Sequence, residues 1–161
     1  MGLLTQFLLR LAFGLAVGMG ITSSRQVTSG FFRNHLYVTL GLTTLAAIVL
    51  SKIAPVQMWI AIAAAALSYV GSVAWLYESP RFGKPMIWLV AACCIVAAIM
   101  SQPGSTTPVH SPLWNSASVV TSGLVLGITF ASMLLGHWYL NAPGMELAPL
   151  RRLLTAAAIA S

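Results

Sequence analysis

Acidic residues are nearly absent from this chain. Its 161 residues hold two, Glu78 and Glu146, against eight Lys and Arg, and charged residues make up only 6% of the whole. A soluble domain carries about 25% charged residues. So few charges cannot cover a water-facing surface, which excludes a soluble globular domain and leaves lipid as the surrounding medium. Two acids also leave no pair of intramembrane carboxylates, the usual relay of a proton-coupled carrier.

Cysteine is equally scarce. Cys93 and Cys94 are adjacent inside an apolar run, and helix neighbours point about 100° apart. They form neither a CxxC nor a Cys/His zinc spacing, so they read as small buried residues. There is no Walker loop, GxSxG elbow or HExxH helix. No catalytic motif can be assigned, and a role without chemistry of its own is the expectation. The net charge of +6 would suggest nucleic acid in a soluble protein. Here the basic residues sit in short loops between apolar runs, with no basic tail, so no nucleic-acid partner is expected. The N-terminus lacks the basic n-region of a secretory signal. Its early side-chain charge, Arg10, falls inside the first apolar run, so that run is read as a retained helix.

What is present is hydrophobic length. A helix crosses about 30 Å of hydrocarbon with about 20 apolar residues at 1.5 Å each. Five runs qualify, at roughly 3–22, 35–53, 57–77, 86–101 and 116–140. The fourth is short, which predicts that it stands near the membrane normal. The last piece, 149–161, spans roughly 20 Å. It is a half-span, an interfacial piece or a sixth helix truncated after Ser161. The fold class expected is an all-α polytopic membrane bundle: one domain over 1–161, with five transmembrane helices and a short C-terminal half-helix. No internal repeat with matching broken helices is visible, as many transporters would require.

Orientation follows from the basic residues, which collect on the cytoplasmic side. Arg25, Arg33, Arg81, Lys84, Arg151 and Arg152 fall on one side of the predicted helices and Lys52 on the other. This bias places the N-terminus outside and loops 23–34, 78–85 and 141–152 in the cytoplasm. The uncharged 102–115 connection, with His110 as a solvated loop residue, then lies outside. Trp59, Trp75, Trp88, Trp114, Trp138, Tyr37, Tyr77 and Tyr139 fall near helix ends, as interfacial anchors do.

Four groups of residues stand out. Gly14 and Gly18 in the first run, and Gly123, Gly127 and Ala131 in the fifth, are spaced by four. Such stripes let helix backbones approach closely. Arg10 is a charge at membrane depth. Three partners are open to it: a lipid phosphate reached by snorkelling, helix carbonyls, or an anionic group on a ligand or partner chain. His35 opens the second run and His137 ends the fifth, so the topology puts both near the same face. That is the first requirement for two axial ligands of a haem b iron. A quinone site using His137, Trp138 and Tyr139 is the other cofactor reading. The plainer reading is two interfacial histidines. Glu146 precedes Arg151 by five and is read as loop structure, paired with Arg151 or Arg152.

These features point to an integral membrane subunit or anchor of a larger membrane complex. It would be held by helix packing, with an electron-transfer link through haem or quinone near the cytoplasmic face. A small oligomeric channel or transporter is the alternative. The expected partners are the lipid bilayer and other membrane subunits or further copies of the chain.

Overall fold

The computed structural model describes residues 2–102, 112–141 and 147–161. These form six helices and, among the described residues, no strand. The helices are α1 (Gly2–Ile21), α2 (Ser29–Leu50), α3 (Pro55–Leu76), α4 (Pro80–Met100), α5 (Pro112–Asn141) and α6 (Ala148–Ala160). His110 and Glu146 lie outside the described residues.

Four helices are long and apolar enough to cross a membrane: Gly2–Ile21, Pro55–Leu76, Pro80–Met100 and, within α5, Leu113–Tyr139. The chain is therefore a membrane-embedded helical protein. Among the described residues, α2, counted in the expectation of five spans, does not reach this measure. Helix α2 has 22 residues, so length is not what it lacks. Arg33, Asn34 and His35 in its first two turns dilute its apolar run.

Those same residues hid the true start of α2. The apolar run begins at residue 35, but the helix begins at Ser29, after an extended Thr28. Helical backbone bonding does not require apolar side chains, so the polar turn simply continues the helix outward. The fourth helix is also longer than its apolar run, with 21 residues. Pro80 starts it, where a missing N–H costs nothing, and Pro85 still falls close enough to the start to be tolerated. The expectation that a short fourth helix stands upright therefore loses its basis. Helix α5 begins at Pro112, earlier than its apolar run.

At the end of α3 the chain reverses through a left-handed residue. Glu78 has φ 51°, and the N–H of Ser79 donates to the carbonyl of Ala74 at 3.0 Å. This six-to-one bond is the Schellman ending, in which glycine usually takes the left-handed position. Pro80 then prevents α3 from running on.

Helix α1 packs against α2, α4 and α5, while α3 packs against α2 and α4. Helices α1 to α4 thus form an up-and-down ring, α5 lies along the outside of α1, and α6 lies on α5. Two apolar clusters fill the ring. One contains Phe31, Phe32, Leu36, Trp75, Ile87 and Cys94. The other contains Leu9, Ala46, Leu50, Ala61 and Ala97. Cys94 is buried and Cys93 half-buried, both as free thiols.

The up-and-down order gathers Arg25, Arg33, Arg81 and Lys84 at one end of the ring, with Lys52 at the other. At this basic end, Lys84 Nζ donates to the carbonyls of Gly20 (3.5 Å) and Thr22 (3.1 Å). A cation there satisfies carbonyls left open at the end of α1. At the opposite end, Gln57 Nε2 donates to the carbonyl of Met100 and Gln102 Nε2 to that of Asn115. Trp75 corrects the expectation that the aromatics are interfacial anchors. It is 3% exposed and stacks on Phe32 with ring centroids 4.1 Å apart. Nearness to a helix end does not say which way a side chain faces.

Candidate functional site

The glycine stripes of α1 and α5 face each other. A Cβ on Gly14 would run into the carbonyl oxygen of Gly123, and one on Gly127 would run into the backbone of Gly14 and Leu15. One on Gly18 would come within 3.0 Å of the Ala131 methyl. The two helices run in the same direction, and their backbones touch where neither has a side chain.

Directly beside this contact lies a chain of polar side chains. Gln6 Nε2 donates to the carbonyl of Ala98 on α4 at 2.8 Å. Arg10 Nε donates to Gln6 Oε1 at 3.1 Å, and Arg10 Nη1 donates to Ser122 Oγ on α5 at 2.9 Å. Ser122 in turn donates to the carbonyl of Ser118 at 2.6 Å. Arg10 therefore sits, half-buried, at the seam where α4, α1 and α5 meet. It reaches neither a carboxylate nor a backbone carbonyl among the described residues. Gln6 was missed as a site residue, although it lies four before Arg10 and so on the same helix face. Ser122 could not have been found this way, because only the fold brings it to α1.

Other buried polar groups bond within their own helices. Thr39 and Thr43 donate to the carbonyls of His35 and Thr39. Ser68 donates to Ala64, and Ser132 to Ile128. Such bonds to a preceding turn satisfy the one donor of each hydroxyl in a dry interior.

The two histidines share one end of the protein but not one environment. The start of α2 meets the end of α5, where a Cβ on Gly30 would lie 3.4 Å from the Trp138 ring. His35 is 4% exposed. Its Nδ1–H donates to the carbonyl of Phe31 at 2.7 Å, and its ring lies against that of Phe31 with centroids 3.9 Å apart. Its Nε2 is buried without a partner among the described residues, as is the indole Nε1 of Trp75. His137 is exposed, and Trp138 and Tyr139 are half-buried. No group of three or more His, Cys, Asp or Glu that could hold a metal occurs among the described residues.

At the end of the ring opposite the basic residues is a polar recess of about 240 Å³. Thr5, Gln57, Ser101 and Gln102 line it. Leu50 forms part of its wall and belongs to the apolar cluster that fills the ring at that end.

Compared with protein-family models, with curated proteins and with solved structures, the chain matches none.

Proposed function

We propose that the protein is an integral membrane subunit or anchor of a larger membrane complex. In this reading five helices cross the bilayer, α2 among them, and α6 is a half-length helix resting on α5. The N-terminus is outside, and the end carrying Arg25, Arg33, Arg81 and Lys84 is cytoplasmic, as the distribution of basic residues favours.

The observation that carries the reading is the way the buried polar groups are spent. Thr39, Thr43, Ser68 and Ser132 all bond their own helices. Neither a nucleophile with a base nor a metal-ligand group stands among the described residues, so the bundle offers packing surfaces and little chemistry. The test is purification from the native membrane in two mild detergents, followed by native mass spectrometry. The expected particle is several times heavier than the 17.0 kDa chain and holds another polypeptide at the same ratio in both detergents. A particle made of this chain alone would overturn the reading.

The electron-transfer link finds less support. An axial imidazole must present Nε2 to a space able to take a macrocycle. The Nε2 of His35 is enclosed in the core and His137 is exposed, so these residues as they stand do not fit a bis-histidine haem. His35 acts as a packing residue of α2. The quinone reading keeps Trp138 and Tyr139 as its wall. The expected absorption spectrum of the purified protein, oxidised and then reduced with dithionite, has no band above the protein band. A Soret band that disappears in His35→Ala would reverse this conclusion.

A second reading, a small oligomeric channel, is favoured by the polar recess around Thr5, Gln57 and Gln102. It would be an entrance closed below by Leu50 and its neighbours. Potassium or chloride flux from liposomes holding the protein alone, above that of empty liposomes, would favour this reading over the first.

A further inference from the structure

The recess at the end opposite the basic residues is polar without being charged. Three parts of the ring converge on it. Thr5 comes from the first turns of α1, Gln57 from the start of α3, and Ser101 and Gln102 from the end of α4. Leu50 closes it towards the core, and Ile53, which is exposed, stands at its rim. Its volume of about 240 Å³ is below the roughly 300–1,000 Å³ of pockets for drug-sized molecules. Whatever fits it is small.

The hydrogen-bonding groups of the recess are only partly used. Gln57 Nε2 donates to the carbonyl of Met100 at 3.1 Å, and Gln102 Nε2 to that of Asn115 at 3.4 Å. Each carboxamide keeps its oxygen and a second N–H without a partner among the described residues. The Ser101 hydroxyl oxygen is buried and likewise has no partner among the described residues. A polar atom held that way carries a desolvation cost that a ligand hydroxyl would remove. The mixture of donors and acceptors also selects a chemistry. A carboxylate only accepts and an ammonium only donates. Either would bring a charge to lining residues that carry none, at a cost in free energy. Lys52, on the adjoining turn, is exposed, where water and salt screen it. A hydroxyl both donates and accepts, so neighbouring hydroxyls on a short carbon chain match Gln57, Ser101 and Gln102 together.

We infer that this recess binds a small uncharged polyol of the size class of glycerol. Its hydroxyls pair with the carboxamides of Gln57 and Gln102 and with the Ser101 hydroxyl, and its carbon chain lies against Leu50 and Ile53. The inference needs no passage through the ring, so it rests on neither the subunit reading nor the channel reading of the same recess.

The probe is glycerol, titrated into the purified protein in deuterated detergent and read by saturation-transfer nuclear magnetic resonance. The expected result is saturable binding in roughly the millimolar range, with no saturable signal from acetate or methylammonium at the same concentrations. Ser101→Ala and Gln57→Leu should each weaken binding about fivefold, as expected for one lost hydrogen bond. Ile53→Trp, which fills the recess from its exposed rim, should abolish it. Circular dichroism verifies that each variant is folded, and Ile53→Trp carries the test if Ser101→Ala does not fold. A signal that does not saturate, one unchanged in all three variants, or equal binding of acetate or methylammonium would overturn the inference. A monoacylglycerol added in competition tells the two sources of a polyol apart. Displacement of glycerol would extend the ligand class to lipid headgroups, and no displacement would confine it to free solutes; the recess holds a polyol in both cases. Ion flux from liposomes without any glycerol binding would overturn this inference and leave the channel reading standing. Glycerol binding without ion flux would do the reverse.

Discussion

Helix α1 meets α5 through backbone, whereas α2 meets α3 through side chains. In the first pair, Gly14 and Gly127 leave no room for a single methyl group, and Gly123 is closely covered by the Phe13 ring. In the second, Leu36 fills the space over Gly71 and Phe32 stacks on Trp75. Lipid tails are as apolar as leucine, so burial alone does not join helices in a membrane. Each pair solves that problem differently. Close backbones gain many small dispersion contacts along their length, while a ring stack concentrates the gain in one place. The first solution tolerates no enlargement, and the second tolerates exchange among side chains of similar bulk.

The sharpest way to break the first contact is Gly14→Val. It should separate α1 from α5 at a loss of about 3 kcal/mol or more, seen as unfolding at a much lower sodium dodecyl sulfate fraction. The near-ultraviolet circular dichroism of the Phe32–Trp75 stack should persist in large part, because α2 and α3 pack chiefly on each other and touch α5 only slightly. In the second contact, Phe32→Leu removes the stack and leaves bulk behind. A loss of about 1 kcal/mol is expected in the same titration, together with loss of the near-ultraviolet signal. Ser122→Ala removes one interhelical hydrogen bond from Arg10. Such bonds average about 0.6 kcal/mol in membranes, so the midpoint should move only slightly. Smallest of all is Gly41→Val on the exposed face of α2, where a Cβ meets nothing within 4 Å. A change below about 0.5 kcal/mol is expected. A large loss there would mean that something absent from the isolated chain packs on α2.

Much of this was legible in the residues themselves. Two stripes of small side chains announce two sticky faces, but not that they belong to each other. That pairing depends on α5 returning to the outside of α1, a choice made by the whole ring. Arg10 was conspicuous as a charge in an apolar run, and Gln6 was recoverable from its spacing. Ser122 was not, because a serine in a membrane helix normally bonds its own backbone. Helix α2 was misjudged at its start because hydropathy measures the preference of side chains for lipid, and Arg33, Asn34 and His35 interrupt that preference without interrupting the helix. Trp75 was misjudged because its height in the membrane is readable and its direction is not.

The parallel contact between α1 and α5 also has a consequence in time. The partner glycines of Gly14 are encoded about 110 residues later, roughly 5–20 s of synthesis at about 5–20 residues per second. Once α1 has entered the bilayer, its smoothest face stays open to any passing helix until α5 is made. Assembly of this protein is therefore a contest between its own fifth helix and its neighbours in the nascent membrane. Slowing translation between residues 50 and 112 would lengthen the contest without altering a single contact in the finished fold.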